Sequence, residues 1–208
     1  MRVNAILGKA LVCAGSLAAV LALSANAHAA ERTHDGFYLS MNAGIGYLSS
    51  SAEQAGVEVN YSGVTMPAAI WLGGTVGPVV IGGGFFADYS FSPTMEVNGG
   101  AGGTYSPDNV SQTLLGIGAF ADYYIDPHGG FHLQPFLGWG GLETSVDGDS
   151  GGSDPTGLVM ALGVGYDFWV ASEWSLGVMG RFAYAPLSLN DVGYSTIAPA
   201  LLFTATYH

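Results

Sequence analysis

Between residues 36 and 47 the stretch GFYLSMNAGIGY sets Phe37, Met41, Ala43, Ile45 and Tyr47 at odd positions against Tyr38, Ser40, Asn42, Gly44 and Gly46 at even ones. A period of two is that of a strand with one apolar face and one small or polar face. The alternation returns over 64–74, 79–92, 111–125, 131–145, 156–169, 173–187 and 195–207, which makes eight predicted strands. In 111–125, Leu115, Ile117, Ala119, Tyr123 and Ile125 oppose Gln112, Gly116, Gly118, Phe120 and Asp122. Four charged side chains within strands, Asp88, Asp122, Asp167 and Arg181, fall on the face of small residues.

Connection lengths alternate as well. Short links at 75–78, 126–130 and 170–173 contrast with longer ones at 51–63, 93–110, 146–155 and 188–194. Tight turns at one end and long loops at the other are the arrangement of bacterial outer-membrane barrels, with the turns facing the periplasm. The predicted fold is therefore all-β: a transmembrane, antiparallel, up-and-down β-barrel of eight strands with both termini periplasmic. Extra strands within 93–110 are the chief alternative. The segments 82–93 and 116–127 match at Gly82/Gly116, Phe86/Phe120, Asp88/Asp122 and Pro93/Pro127. The predicted topology makes these two segments antiparallel neighbours, so the match reads as convergent composition rather than a duplicated hairpin.

The facing of the strands decides between a soluble and a membrane barrel. A soluble barrel would carry Lys, Glu and Asp on its outer face, whereas here the larger apolar side chains would lie there. Phe37, Tyr123, Phe131, Phe168, Trp174 and Tyr207 fall near the turn ends, and Tyr47, Tyr89, Phe91 and Tyr184 near the loop ends. Two aromatic belts are what a lipid-embedded barrel requires. The inward list mixes Trp71, Phe86, Phe120, Phe136 and Trp169 with many glycines, a combination that fills a narrow lumen.

Composition adds the destination. Arg2 and Lys9 flank a short basic start, 10–23 is apolar, and ANAHAA supplies small residues for cleavage after Ala29. Residues 1–29 thus read as a secretory signal peptide and 30–208 as the barrel domain. The single cysteine, Cys13, lies in the signal, so the mature chain is expected to hold no disulfide. Arg32 and Arg181 would then be its only fixed cations against all 16 carboxylates. That balance argues against nucleic acid and other polyanions as partners, which are gripped by clustered Lys and Arg.

The strand after the signal (GFYLSMNAGIGY), the eight strands and the closing LLFTATYH resemble the small outer-membrane β-barrel proteins of Gram-negative bacteria, the OmpA/OmpX-like group. The resemblance spans essentially all of the mature chain. It implies contact with outer-membrane lipid and lipopolysaccharide, and recognition of the terminal strand by the barrel assembly machinery. Tyr207 matches the family's terminal aromatic, but here His208 follows it.

Candidate chemistry concentrates in the lumen. Arg181 is the sole cation within the predicted strands, with Asp88, Asp122 and Asp167 as competing partners; comparable height in the barrel favours Asp88 and a cross-barrel pair. Asp122 and His132 flank the DPHGG turn and are expected to be direct cross-strand partners. Both pairs are structural expectations, and no catalytic, cofactor or metal residue is assigned. His34 and His208 read as tail residues and His128 as a turn residue, so no histidine stands beside a serine at the loop-end rim to activate it. In DGDSGGSDP, Asp147, Asp149 and Asp154 hint at calcium, but Gly151 stands where a ligand is needed, and a solvated loop is the reading adopted. The expected function is an integral outer-membrane barrel with a structural or surface-interaction role, its lumen filled by side chains and its loops open to an unknown extracellular partner. A small low-conductance channel is the alternative. A lipid-modifying barrel enzyme and a soluble periplasmic carrier rank behind it.

Overall fold

The computed structural model describes residues 34, 36–54, 56–99, 102–106, 109–126, 128–147 and 154–208. The proposed signal peptide, Arg32, Pro127, Asp149 and Gly151 lie outside them. Eight strands form a closed antiparallel barrel: β1 (Phe37–Gln54), β2 (Val57–Val76), β3 (Val79–Ser90), β6 (Val110–Tyr124), β7 (Phe131–Val146), β8 (Thr156–Trp169), β9 (Trp174–Leu189) and β10 (Val192–Tyr207). Each pairs with its neighbour, and β10 closes the ring on β1 with Leu39 opposite Tyr207. Two short strands, β4 (Thr94–Asn98) and β5 (Gly103–Tyr105), occupy the connection between β3 and β6; β4 extends the sheet on the loop-end part of β2. The strands predicted as an alternative within 93–110 are therefore present, but outside the barrel wall.

Two connections predicted as long loops are in fact hairpins. β1 and β2 continue past the membrane-facing stretch to Gln54 and Val57, and β9 and β10 meet across Asn190 and Asp191. Those two residues have φ of 49° and 65°, the left-handed pair that a two-residue hairpin turn needs and that Asn and Asp tolerate. The strand signal was hidden because the apolar stripe fades there: Ser49, Ser51, Glu53 and Glu58 occupy positions that carry large apolar groups lower down.

Facing follows the alternation. Ile117, Leu162, Phe203 and Trp139 stand exposed on the outer wall, while Trp71, Phe86, Phe120 and Phe136 are buried within. The repeated segments lie on β3 and β6, which pair antiparallel with Val80 opposite Asp122 and Asp88 opposite Leu114. Their two aspartates are thereby sent to different heights.

Four prolines sit inside wall strands. At Pro67, Pro135, Pro186 and Pro199 the pairing on one side is interrupted: Ala43↔Ala68 resumes only at Gly46↔Thr65, and Gly46↔Ala200 only at Ser49↔Ile197. Proline has no N–H to give the ladder. β1 thus loses its pairing with β2 at residues 44–45 and with β10 at 47–48.

The filled lumen depends on glycine. Trp71 packs 5.3 Å from Phe120 and 5.5 Å from Phe136, and Phe86 packs 5.4 Å from Phe136, all ring to ring. A Cβ on Gly116 would meet the Phe86 ring at 2.8 Å and Val159 at 3.2 Å. Gly116→Val should therefore overpack the centre and cost about 1–3 kcal/mol. Urea unfolding of the variant in lipid vesicles measures it.

Candidate functional site: the barrel lumen

Arg181 on β9 and Asp88 on β3 come from strands on opposite walls, and both side chains project inward because each sits on the small-residue parity of its strand. The Arg181 Nη2 donates to Asp88 Oδ1 across the axis. Both are buried, Asp88 completely and Arg181 to 3% exposure. The guanidinium lies over the Phe86 ring, its Cζ 4.2 Å from the centroid, which adds a cation–π contact at a buried site. Gly163 is the cross-strand partner of Arg181, and a Cβ there would meet Met179 Sδ at 2.6 Å. The pair is joined by one contact, for Asp88 Oδ2 and Arg181 Nε and Nη1 have no hydrogen-bond partner. The Phe86 ring packs on through Phe136 to Trp71 and Phe120, all buried in the lumen core.

Toward the turn end a second polar network fills the lumen. His132 Nδ1 lies 2.7 Å from Asp122 Oδ1, and Asp122 Oδ2 accepts from Tyr38 (2.9 Å) and Gln134 (3.1 Å). Asp167 accepts from Thr204 (2.8 Å), Tyr124 (3.3 Å) and Ser175 (3.4 Å), and stands 3.9 Å from His132 Nε2. The two aspartates are therefore held by donors from five strands. Asp122 and His132 meet diagonally rather than directly: the residue opposite His132 is Tyr124. The pairing is centred one residue beyond Pro127, which shifts the register by two.

His34 and His208, read from sequence as tail residues, are instead 6% and 7% exposed and close the turn end. Their Nδ1 atoms lie 3.1 Å apart; His34 stacks on Tyr124 at 3.5 Å, and both rings lie 4.9 Å from Trp169. Burial lowers both histidines, His208 to about 2 with His34 and His132 adding to the shift. No sequence period could have placed them, since both lie outside the strands. The inward parity of Tyr38, Tyr124 and Trp169 beside them was the available clue.

A pH dependence follows. The folded His208 binds its proton below its unfolded value of about 6.5, so the contribution of the seal to stability is complete above that value. It is lost progressively as pH falls from about 6.5 toward about 2. The protection factor of the His208 amide, whose N–H donates to the Glu173 carbonyl at 2.9 Å, should fall below pH 6. His208→Phe should remove that fall.

The network contains a serine–histidine contact, Ser175 Oγ to His208 Nε2 at 3.0 Å. Its order is not that of a nucleophile and base: Asp167 contacts the serine, the far nitrogen of His208 faces His34, and Ser175 is fully buried. A histidine held to about 2 is also too weak a base to take the hydroxyl proton. Among the described residues no group of three or more His, Cys, Asp and Glu has a metal-binding arrangement.

A family model described as an outer membrane protein beta-barrel domain matches residues 15–198. Among solved structures the chain is similar to neisserial surface protein A, with 18% identity over 83% of this chain and 97% of that one and a TM-score of 0.56. It is also similar to the outer membrane protein OprG of Pseudomonas aeruginosa, with 13% identity, 86% and 100% coverage and a TM-score of 0.52. No curated protein sequence matches the chain.

Proposed function

The chain belongs to the outer membrane β-barrel domain family, and from that premise we propose that this barrel of the outer membrane serves a structural or surface-interaction role rather than forming an open pore. The observation that carries this reading is the buried Arg181–Asp88 contact over the Phe86 ring, which packs through Phe136 to Trp71 and Phe120 and fills the lumen with side chains. A closed barrel offers the outside only what it builds above the membrane. Here that is two hairpin extensions, the β4–β5 flap and the acidic residues on them, Glu53, Glu58, Glu96 and Asp191 among others. The termini lie in the periplasm on this reading, and the hairpin ends face outward. Lipid and lipopolysaccharide contact the apolar wall, the assembly machinery reads β10 with Tyr207 on its outer side, and a loop partner remains to be found. The protein is not an enzyme on this reading, since the buried Ser175–His208 contact has neither access nor a competent base.

Orientation can be tested directly because residues 30–208 contain no cysteine. Asp191→Cys should react on intact cells with a membrane-impermeant maleimide, and Gly36→Cys only after the outer membrane is opened. The reverse pattern would refute the reading. A low-conductance channel is the second reading, favoured by a cavity of about 480 Å³ at the loop end of the lumen.

A further inference from the structure

We infer that this loop-end cavity is a binding site for a small organic ammonium compound, an apolar body carrying a cationic N–H donor. The inference goes beyond the surface role and does not depend on it. The lining comes wholly from inward positions of the wall strands and the segment before β8: Ser50 and Gln54 of β1, Val59 and Tyr61 of β2, Gln112 of β6 and Tyr194 of β10 are representative. Its volume of about 480 Å³ is in the range of small-molecule sites. Below it Leu48, Leu114 and Leu187 are buried and the Arg181–Asp88 contact closes the axis, so the cavity is a cup with one mouth.

Three features select the ligand. Val57, Val59, Leu142, Leu189 and Val192 give the cup an apolar lining that suits a hydrocarbon or aromatic body. Gln112 supplies an unanswered acceptor: it is 2% exposed, its Nε2 donates to Thr144 Oγ1 at 3.3 Å, and its Oε1 has no partner. A buried carbonyl oxygen without a donor is costly; it lies beneath the cup wall, and rotation of the Gln112 side chain presents it to a ligand N–H, which relieves the cost. Charge decides the sign. Asp154 lines the cup, Glu53, Glu58, Glu143 and Asp191 stand at the same end, and no described residue there is Lys or Arg. An anion is repelled, whereas an ammonium group gains from the carboxylates and from the faces of Tyr61 and Tyr194.

The experiment uses the purified barrel in lipid nanodiscs, with 2-phenylethylammonium as the probe. Two comparators are 3-phenylpropionate, of similar size and opposite charge, and trimethyl(2-phenylethyl)ammonium, which keeps the charge and lacks the N–H. Binding is followed by calorimetry and by the side-chain amide NMR signal of Gln112. The primary ammonium should bind saturably, at least tenfold tighter than the carboxylate, and should shift the Gln112 signal. Gln112→Leu should weaken the primary ammonium about tenfold and leave the trimethyl compound unchanged. Val59→Trp, which fills the cup and leaves the Gln112 side chain chemically unchanged, should abolish saturable binding; gel migration before and after boiling verifies that each variant is folded. Equal affinity for the carboxylate, no saturable binding of the primary ammonium, or binding that survives Val59→Trp would each overturn the inference. So would a Gln112→Leu variant that binds both ammonium compounds as before or loses both equally.

Discussion

Arg181→Ala and Asp88→Ala should each destabilise the folded barrel by about 3–5 kcal/mol, the range for removing one member of a buried ion pair. The physical reason is what each change leaves behind. Without Arg181, a carboxylate at 0% exposure has no counter-charge; without Asp88, a guanidinium is left with only the Phe86 ring. The pair itself is not the source of that energy. It has one contact, three of its polar atoms are unpaired, and two ions have been taken out of water to make it. Asp88→Leu with Arg181→Met should therefore fold as well as the original chain, or better by about 1–4 kcal/mol. A double-mutant cycle in urea, from vesicles, checks both statements. The double alanine change should cost less than the sum of the single ones because the two residues share a contact. Additive losses would show that the pair is not coupled.

Ile117→Arg and Leu162→Arg should each cost about 2–4 kcal/mol, the depth-dependent penalty for a cation on the lipid face near the bilayer midplane. Ile117 is 68% exposed and Leu162 51% on the outer wall, so in water neither change would cost much. The loss arises only in lipid, which makes the contrast informative. The same Arg at Tyr47, near the loop-end belt, should cost about 0–1 kcal/mol because its head reaches the interface. Folding titrations in vesicles that show no difference between the three positions would mean that this wall does not face lipid.

Much of this architecture is legible in the sequence because a membrane barrel reverses the usual burial rule in a regular way. Period-two alternation fixes which residues face in, and the placement of Asp88, Asp122, Asp167 and Arg181 on the small-residue face locates the lumen chemistry. Parity and height together favour Asp88 for Arg181, and those are the two coordinates that a barrel strand supplies. What parity cannot supply is register. A pairing centred one residue further along the 126–130 turn moves Tyr124 opposite His132, and Asp122 is then reached on the diagonal. The hairpin at Asn190–Asp191 was hidden for another reason: outside the hydrocarbon the outer face has no need to be apolar, so the stripe ends before the strand does. His34 and His208 belong to no periodic element, and only the folded chain brings 34 and 208 within 3.1 Å.

The central claim is that the lumen is sealed, and conductance across a planar bilayer tests it most directly. The purified barrel should give no steady ionic steps above the bare bilayer at neutral pH, where the His34–His208 closure and the Arg181–Asp88 contact are both intact. Arg181→Ala, which leaves a charged carboxylate and a void where the side chain crossed the axis, should give small cation-selective steps. Reproducible steps from the unaltered protein, unchanged by Arg181→Ala, would contradict the account.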